Sequence, residues 1–349
     1  MEVFGIALTM LVLFVSFGFM VGVLFGFFGM GGSFLVTPAL LVMGYPARVA
    51  VGSGMAFVFG TAVIATMKHH DLGQVDYKLG GLMIVGTTVG IEVGRIGVFY
   101  LEELGLASGV IGVTYVVLLG SIGLFVTRNA LKGDGDGNGT DTSGGHHDAA
   151  NQEIDPDAIP DIAKKIQSYH VPPMMTIAGG ITVSLWMVLG VAFVTGLLSG
   201  FLGVGGGFIR MPAMFYLIGV PVPVAVGTDL FEIVFSGGIG SFLYGLEGGV
   251  DLSIVAPLLA GSAFGARIGS AATSIVDEGD IKIYFGLMLL GGSVAVAFRQ
   301  AGDYLGMEVL STVSFALILL SAFMVSGAVI YSTIVAMRQN ARIARSTAD

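Results

Sequence analysis

Apolar residues run along this chain in long blocks, separated by short stretches that are charged or rich in glycine and proline. Blocks of roughly 20 to 25 residues stand at about 3–27, 47–67, 79–99 and 106–127, and again at about 174–199, 222–244, 251–273, 281–299 and 308–336. Each can cross the roughly 30 Å hydrocarbon core of a bilayer as a helix. Membrane strands would alternate polar and apolar residues with period two, and Val3 to Phe28 or Met174 to Leu198 show no such alternation. Helices satisfy every backbone group internally and are the structure that remains. The pattern predicts an all-α polytopic membrane protein. No Lys or Arg precedes the opening block, which reads as a retained first span and not as a cleaved leader. Trp186, inside the block 174–199, is expected to pack between helices and not to sit in an interfacial belt.

Between the first two blocks of each half lies a shorter apolar piece, Phe34 to Met43 and Phe208 to Gly219, too short to span. These are expected to be half-helices or re-entrant segments. The halves also repeat each other. GFFGMGGSFLVTP at Gly26 to Pro38 matches GFLGVGGGFIRMP at Gly200 to Pro212 with an offset of 174, and AVGS at Ala50 to Ser53 matches AVGT at Ala225 to Thr228 with an offset of 175. The second register holds through Asp76 and Asp251, and through Gly86, Gly90 and Gly94 against Gly261, Gly265 and Gly269. Duplication with interrupted helices at corresponding positions points to a transporter binding site. The fold expected is two homologous helical repeats plus one extra C-terminal helix.

Composition agrees with the bilayer: 54% of the 349 residues are hydrophobic and 11% charged, against roughly 25% charged in soluble domains. It also marks one solvated interruption. From Arg128 to His170 the chain turns to GDGDGNGTDTSGGHHD and a further acidic stretch, with eight Asp or Glu against four Lys or Arg. This reads as a flexible linker. The domains expected are a first transmembrane repeat at 1–127, the linker at 128–170, a second repeat at 171–300, and a C-terminal helix with a basic tail at 301–349. Cysteine is absent, which excludes disulfides, thiolate metal sites and cysteine nucleophiles. His146 and His147 in the linker, and Lys68-His69-His70-Asp71 between two spans, lack the geometry of a metal site and read as solvated segments.

The glycine clusters are the first candidate chemistry. Gly29, Gly31, Gly32 and the following Ser33, with Gly203, Gly205, Gly206 and Gly207, stand just before the two short apolar pieces. Glycine permits positive φ and close backbone approach, and an unwound chain ahead of a half-helix exposes N–H groups that favour an anion. The alternative is close packing through small residues. The two clusters are expected to meet near the bilayer midplane. Neither carries the GK[ST] ending of a nucleotide-binding loop, so ATP hydrolysis is unsupported.

Charges inside the apolar blocks are the second, because each is expensive in lipid unless paired or wetted. Arg210 follows the second cluster and offers a planar fork of donors to an oxyanion; its repeat equivalent is Val36. Asp229 and Glu232, three apart on one helix face, correspond to Gly54 and Phe57. They suggest proton coupling or gating, or a structural pair with Arg210. Glu92 and Arg267 occupy equivalent positions, so they could pair across the repeat axis as a clamp or gate, or each could lie near a helix end; Arg95, three residues on, is a local partner for Glu92. Ser53 and Thr228, matched by the repeat, offer hydroxyl donors near the breaks.

With these residues in view, the duplicated G-x-G-G-(G/S)-x-x-x-x-P block, the short piece, the proline-containing turn, the A-V-G-(S/T) and the later G-x-x-x-G pair resemble the sulfite exporter family TauE/SafE over nearly the whole chain outside the linker and final helix. The resemblance implies a bacterial or archaeal secondary transporter that exports sulfite, a sulfonate or a related organosulfur anion. An anion channel would use a similar scaffold, and a membrane enzyme or scaffold is less well supported because no nucleophile, metal set or cofactor motif lies within the spans. The partners expected are a small anion and the lipid bilayer, with no nucleic acid and no cofactor; a homo-oligomer is left open. Arg338, Arg342 and Arg345 place the C-terminus in the cytoplasm of a plasma-membrane protein. Whether the short pieces cross decides between parallel and inverted repeats and fixes the side of the linker.

Overall fold

The computed structural model describes residues 2–3, 6–28, 33–71, 73–133, 172–177, 182–273, 275–276 and 278–346. The first repeat comprises α1 (Leu8–Phe28), α2 (Ser33–Val42), α3 (Ala47–Asp71), α4 (Tyr77–Glu103) and α5 (Ala107–Gly133). The second comprises α6 (Leu185–Leu202), α7 (Gly207–Ala213) with a π-helical turn at Met214–Ile218, α8 (Val222–Gly245), α9 (Leu252–Thr273) and α10 (Glu278–Leu305), followed by α11 (Glu308–Ser346). Among the described residues, nine helices are long and apolar enough to cross a membrane, and α2 and α7 are not among them. The expected half-helices are therefore real elements within one or two residues of where the sequence puts them. Each repeat opens on a small antiparallel ribbon, β1 (Glu2–Val3) with β2 (Ile6–Ala7), and β3 (Met174–Thr176) with β4 (Thr182–Ser184).

Two expectations need correction. The block 174–199 is not helical throughout, since the strands β3 and β4 lie in its opening part and α6 starts at Leu185. Trp186 consequently sits in the first turn of α6, 62% exposed, and not between helices. His69 is likewise no solvated loop residue: it is fully buried near the end of α3, with Nδ1 2.6 Å from Gln74 Oε1 and Nε2 3.3 Å from the Gly26 carbonyl.

The repeats interlock instead of standing side by side. A Cβ built on Gly261, Gly265 or Gly269 of α9 would strike the backbone of α1 at Val15, Phe19 and Val23 respectively. A Cβ on Gly86, Gly90 or Gly94 of α4 would strike α6 at Leu189, Phe193 and Leu197. Both sets rise together along the two helices, so each pair is parallel, and the second crossing is the first carried over by the repeat. The helices touch backbone to backbone, which only glycine allows.

The same contacts fix the topology. Gly52 meets Tyr244 while Gly237 meets Phe59, so α3 and its repeat equivalent α8 are antiparallel. Gly112 meets Gln300 and Gly123 meets Leu289, so α5 and its equivalent α10 are antiparallel as well. The repeats are inverted. His69 near the end of α3 meets Gly26 near the end of α1, which makes those two helices parallel and obliges the chain between them to return. It does: the Phe28 ring lies 5.6 Å from that of Phe285, and Arg299 Nη1 donates to the Val42 carbonyl at 3.0 Å. Phe285 and Arg299 are about 21 Å apart along α10 at 1.5 Å per residue. Each repeat thus makes five passages, and α5 ends on the side where α6 begins and α11 ends.

This arrangement predicts a labelling result, made clean by the absence of cysteine. Asp71, ending α3, and Glu247, after α8, are both exposed and lie at opposite ends of the bundle. In intact cells a membrane-impermeant maleimide is expected to reach only one of Asp71→Cys and Glu247→Cys, with the other reacting after permeabilisation. Labelling of both from one side would exclude the inverted arrangement.

Candidate functional site

Unwinding between α6 and α7 places the functional side chains. Gly203, Gly205 and Gly206 all have positive φ, at 74°, 68° and 78°. α6 therefore ends at Leu202, and α7 restarts at Gly207 in a new direction. Arg210 stands on the first turn of α7 with 0% exposure. Its Nε donates to Asp229 Oδ1 at 2.5 Å, and its Nη1 donates to Glu232 Oε2 and, at 3.4 Å, to Thr87 Oγ1. Its Nη2 donates to the Gly205 carbonyl within the break. Asp229 and Glu232, one turn apart on α8, are also 0% exposed, and Ser236 Oγ donates to Glu232 Oε2 at 3.1 Å. Thr87 lies ten residues into α4, about 15 Å at 1.5 Å per residue, so the cluster sits near mid-depth of a roughly 30 Å core.

The guanidinium is thus committed to two carboxylates, a hydroxyl and a carbonyl. Two carboxylate oxygens, Asp229 Oδ2 and Glu232 Oε1, are buried with no hydrogen-bond partner among the described residues. Thr195 and Ser199 of α6 are buried too, and Gly206 approaches both and Arg210. Sequence reasoning named Arg210, Asp229 and Glu232 but passed over Thr87 and Ser236, hydroxyls within apolar runs. The signal available was the repeat itself. Thr61 and Ser262, offset by 175 from Ser236 and Thr87, hydrogen-bond each other at 2.9 Å in the other half.

The remaining candidates scatter. Gly29, Gly31 and Gly32 lie outside the described residues, Ser33 opens α2, and the linker with His146 and His147 is likewise outside. Gly203 packs on the first repeat, where its carbonyl is 3.5 Å from Thr37 Oγ1. Ser53 and Thr228 act as matched staples, accepting the backbone N–H of Asp251 at 3.0 Å and of Asp76 at 2.9 Å. Glu92 does not pair with Arg267. It receives both Nε and Nη2 of Arg95 at 3.0 and 2.7 Å, and Arg95 Nη1 reaches Glu247 at 2.5 Å. This ion cluster is partly exposed at the rim. Arg267 lines an open recess of about 600 Å³ with Asp71 and Phe264 toward the other end of the bundle. Inversion explains the separation, since it sends equivalent positions to opposite faces.

An inverted, interlocked helical duplication with a broken helix and a buried charge cluster at mid-depth defines a membrane transporter. The chain belongs to the sulfite exporter TauE/SafE family, whose profile matches residues 14–296. It is 24% identical over 287 residues to YunE, a probable membrane transporter protein of Bacillus subtilis, covering 80% of this chain and 94% of that protein. A probable membrane transporter protein of Xylella fastidiosa is 25% identical over 294 residues, covering 83% and 96%. One from Methanocaldococcus jannaschii is 26% identical over 247 residues, covering 68% and 73%. No solved structure matches the chain.

Proposed function

We propose that this protein is a secondary transporter that exports a small oxyanion, sulfite or an organosulfonate, across the plasma membrane, with Arg210 as the residue that meets the anion's charge. The observation that carries the reading is Arg210 itself: a guanidinium on a broken helix at mid-depth, sealed from solvent and held by side chains that can release it. A planar fork suits a sulfonyl or sulfite oxygen pair, and the break supplies the hinge that an alternating-access step needs. The basic end of α11 lies in the cytoplasm, and the end of α5 and the start of α6, on the same side, do too.

Proteoliposomes loaded with sulfite, sulfoacetate, thiosulfate or sulfate test this directly. Saturable flux of at least one sulfur oxyanion is expected, and Arg210→Lys, which keeps the charge and loses the fork, is expected to weaken apparent affinity about ten- to a hundredfold, on the order of 1.5 to 3 kcal/mol. Unchanged affinity in that variant would remove Arg210 from the site. Conductance far above carrier turnover would replace the carrier by a pore.

A further inference from the structure

The charged cluster exists in only one of two equivalent places. Arg210, Asp229 and Glu232 correspond through the repeat to Val36, Gly54 and Phe57, and Val36 and Phe57 are themselves fully buried. Around both places the scaffold is the same. Thr61 and Ser262 stand where Ser236 and Thr87 stand, and His69 approaches the Gly26 carbonyl where Tyr244 Oη donates to that of Gly200 at 2.6 Å. One chain therefore shows the fold built both ways, with and without charge. Packing does not require the three ions, since well-packed apolar side chains are an adequate replacement for a buried ion cluster.

With all three groups ionised the cluster carries one net negative charge, sealed at mid-depth in a low-dielectric interior where an uncompensated ion is expensive. Among the described residues, no other charge compensates it. α3, α4 and α6 bring Met55, Thr87, Thr195 and Ser199 to its surroundings. Charged groups on those elements are engaged elsewhere: on α4 the Asp76 carboxylate caps the helix start through Lys78 N and Leu79 N and Glu92 pairs with Arg95, and on α3 His69 is held by Gln74 and Gly26 and Arg48 lies 3.9 Å from Glu102. The unpartnered oxygens Asp229 Oδ2 and Glu232 Oε1 are where a proton would turn an orphaned acceptor into an O–H.

We propose that Arg210, Asp229 and Glu232 form a proton-binding site that takes up one proton with each monovalent anion, remaining electrically neutral both empty and loaded. The empty site holds one proton: an arginine cation, one carboxylate and one carboxylic acid. An arriving anion displaces the remaining carboxylate from Arg210, and that carboxylate takes the second proton. The loaded site is then a cation, an anion and two neutral acids. Anion and proton enter and leave together, and a divalent oxyanion is carried only in its singly protonated, monovalent form. The coupling rests on the transporter reading, whereas the resting proton does not.

Two measurements separate them. Infrared difference spectra of the purified protein in nanodiscs, in H2O and D2O, are expected to show the carbonyl stretch of a buried protonated carboxyl at neutral pH, absent from Asp229→Asn/Glu232→Gln. No such band, or a band unchanged in that variant, overturns the site whether or not anything is transported. In proteoliposomes, methanesulfonate, monovalent throughout the usable pH range, is the probe. A tenfold anion gradient is expected to be balanced by an opposing gradient of about one pH unit, each being worth about 1.4 kcal/mol, and net flux is expected to ignore a potential clamped with potassium and valinomycin. Flux that follows the potential and not the pH gradient overturns the coupling. The double amide is expected to bind methanesulfonate independently of pH and to let it follow the potential. Failure of every sulfur oxyanion to move, with the infrared band present, would sink the transporter reading and leave the proton site standing.

Discussion

Arg210→Ala is expected to destabilise the protein by about 3 to 5 kcal/mol, because it strands a carboxylate and its carboxylic-acid neighbour in a sealed interior without their cation. The informative companion is the triple variant Arg210→Val/Asp229→Gly/Glu232→Phe, which writes into the second repeat the residues that the first already carries. It removes every charge at once and fills the space with side chains that this scaffold accommodates, so it is expected to fold within about 1 to 2 kcal/mol of the parent and to transport nothing. Thermal unfolding and monodispersity in detergent read the first quantity, and flux the second. A triple variant that still carries sulfur oxyanions at the parental rate would show that the cluster serves the fold and not the cargo. Parental stability in Arg210→Ala would show that the carboxylates are already neutral or reached by water.

The glycine crossings carry the other large effect. Gly22→Ala and Gly90→Ala place a methyl group against the backbone of the facing helix at Ser262 and at Phe193. A backbone cannot rotate aside as a side chain can, so each is expected to cost about 3 kcal/mol, at the upper end of overpacking, and to lower the yield of assembled protein. Gly81→Ala and Gly190→Ala are the controls, because a Cβ there meets open space. Freed of contact, they are expected to stabilise their helices by about 0.5 to 1 kcal/mol. Equal effects at all four positions would mean that helix propensity and not helix contact decides.

What the sequence revealed was whatever is written locally or twice. Spans show as apolar blocks, half-helices as short ones, and duplication as matched glycines, so α2, α7 and the four crossing helices were legible. The direction of the repeats was not, because a matching sequence reads identically whether its copy lies parallel or inverted, and the answer depended on which residues of α3 meet α8 and which of α5 meet α10. The same blindness produced the expected Glu92–Arg267 pair, since equivalence of position carries no information about which face a residue reaches. The β3–β4 ribbon was hidden for a different reason: Met174 to Ser184 is as apolar as a span, and hydropathy does not distinguish a strand from the first turns of a helix. Arg210, Asp229 and Glu232 stood out because charge is rare in the blocks. Thr87 and Ser236 did not, since a hydroxyl can return its hydrogen bond to its own helix, as Thr87 does to the Met83 carbonyl at 2.8 Å, and so leaves no mark in composition.

α11 has no counterpart in the first repeat, and it packs mainly on α1, α2, α9 and α10. Two identical inverted copies, alone, would make the inward-facing and outward-facing forms equivalent by a two-fold rotation and equal in energy, with each half-cycle retracing the other. The charge cluster carried by one repeat already breaks that equivalence, and a brace on one flank breaks it further. Whatever α11 gains in one form and loses in the other is a resting bias, tenfold in population for each ~1.4 kcal/mol, so the thirty-nine residues of this helix give an otherwise two-way device a preferred side on which to wait.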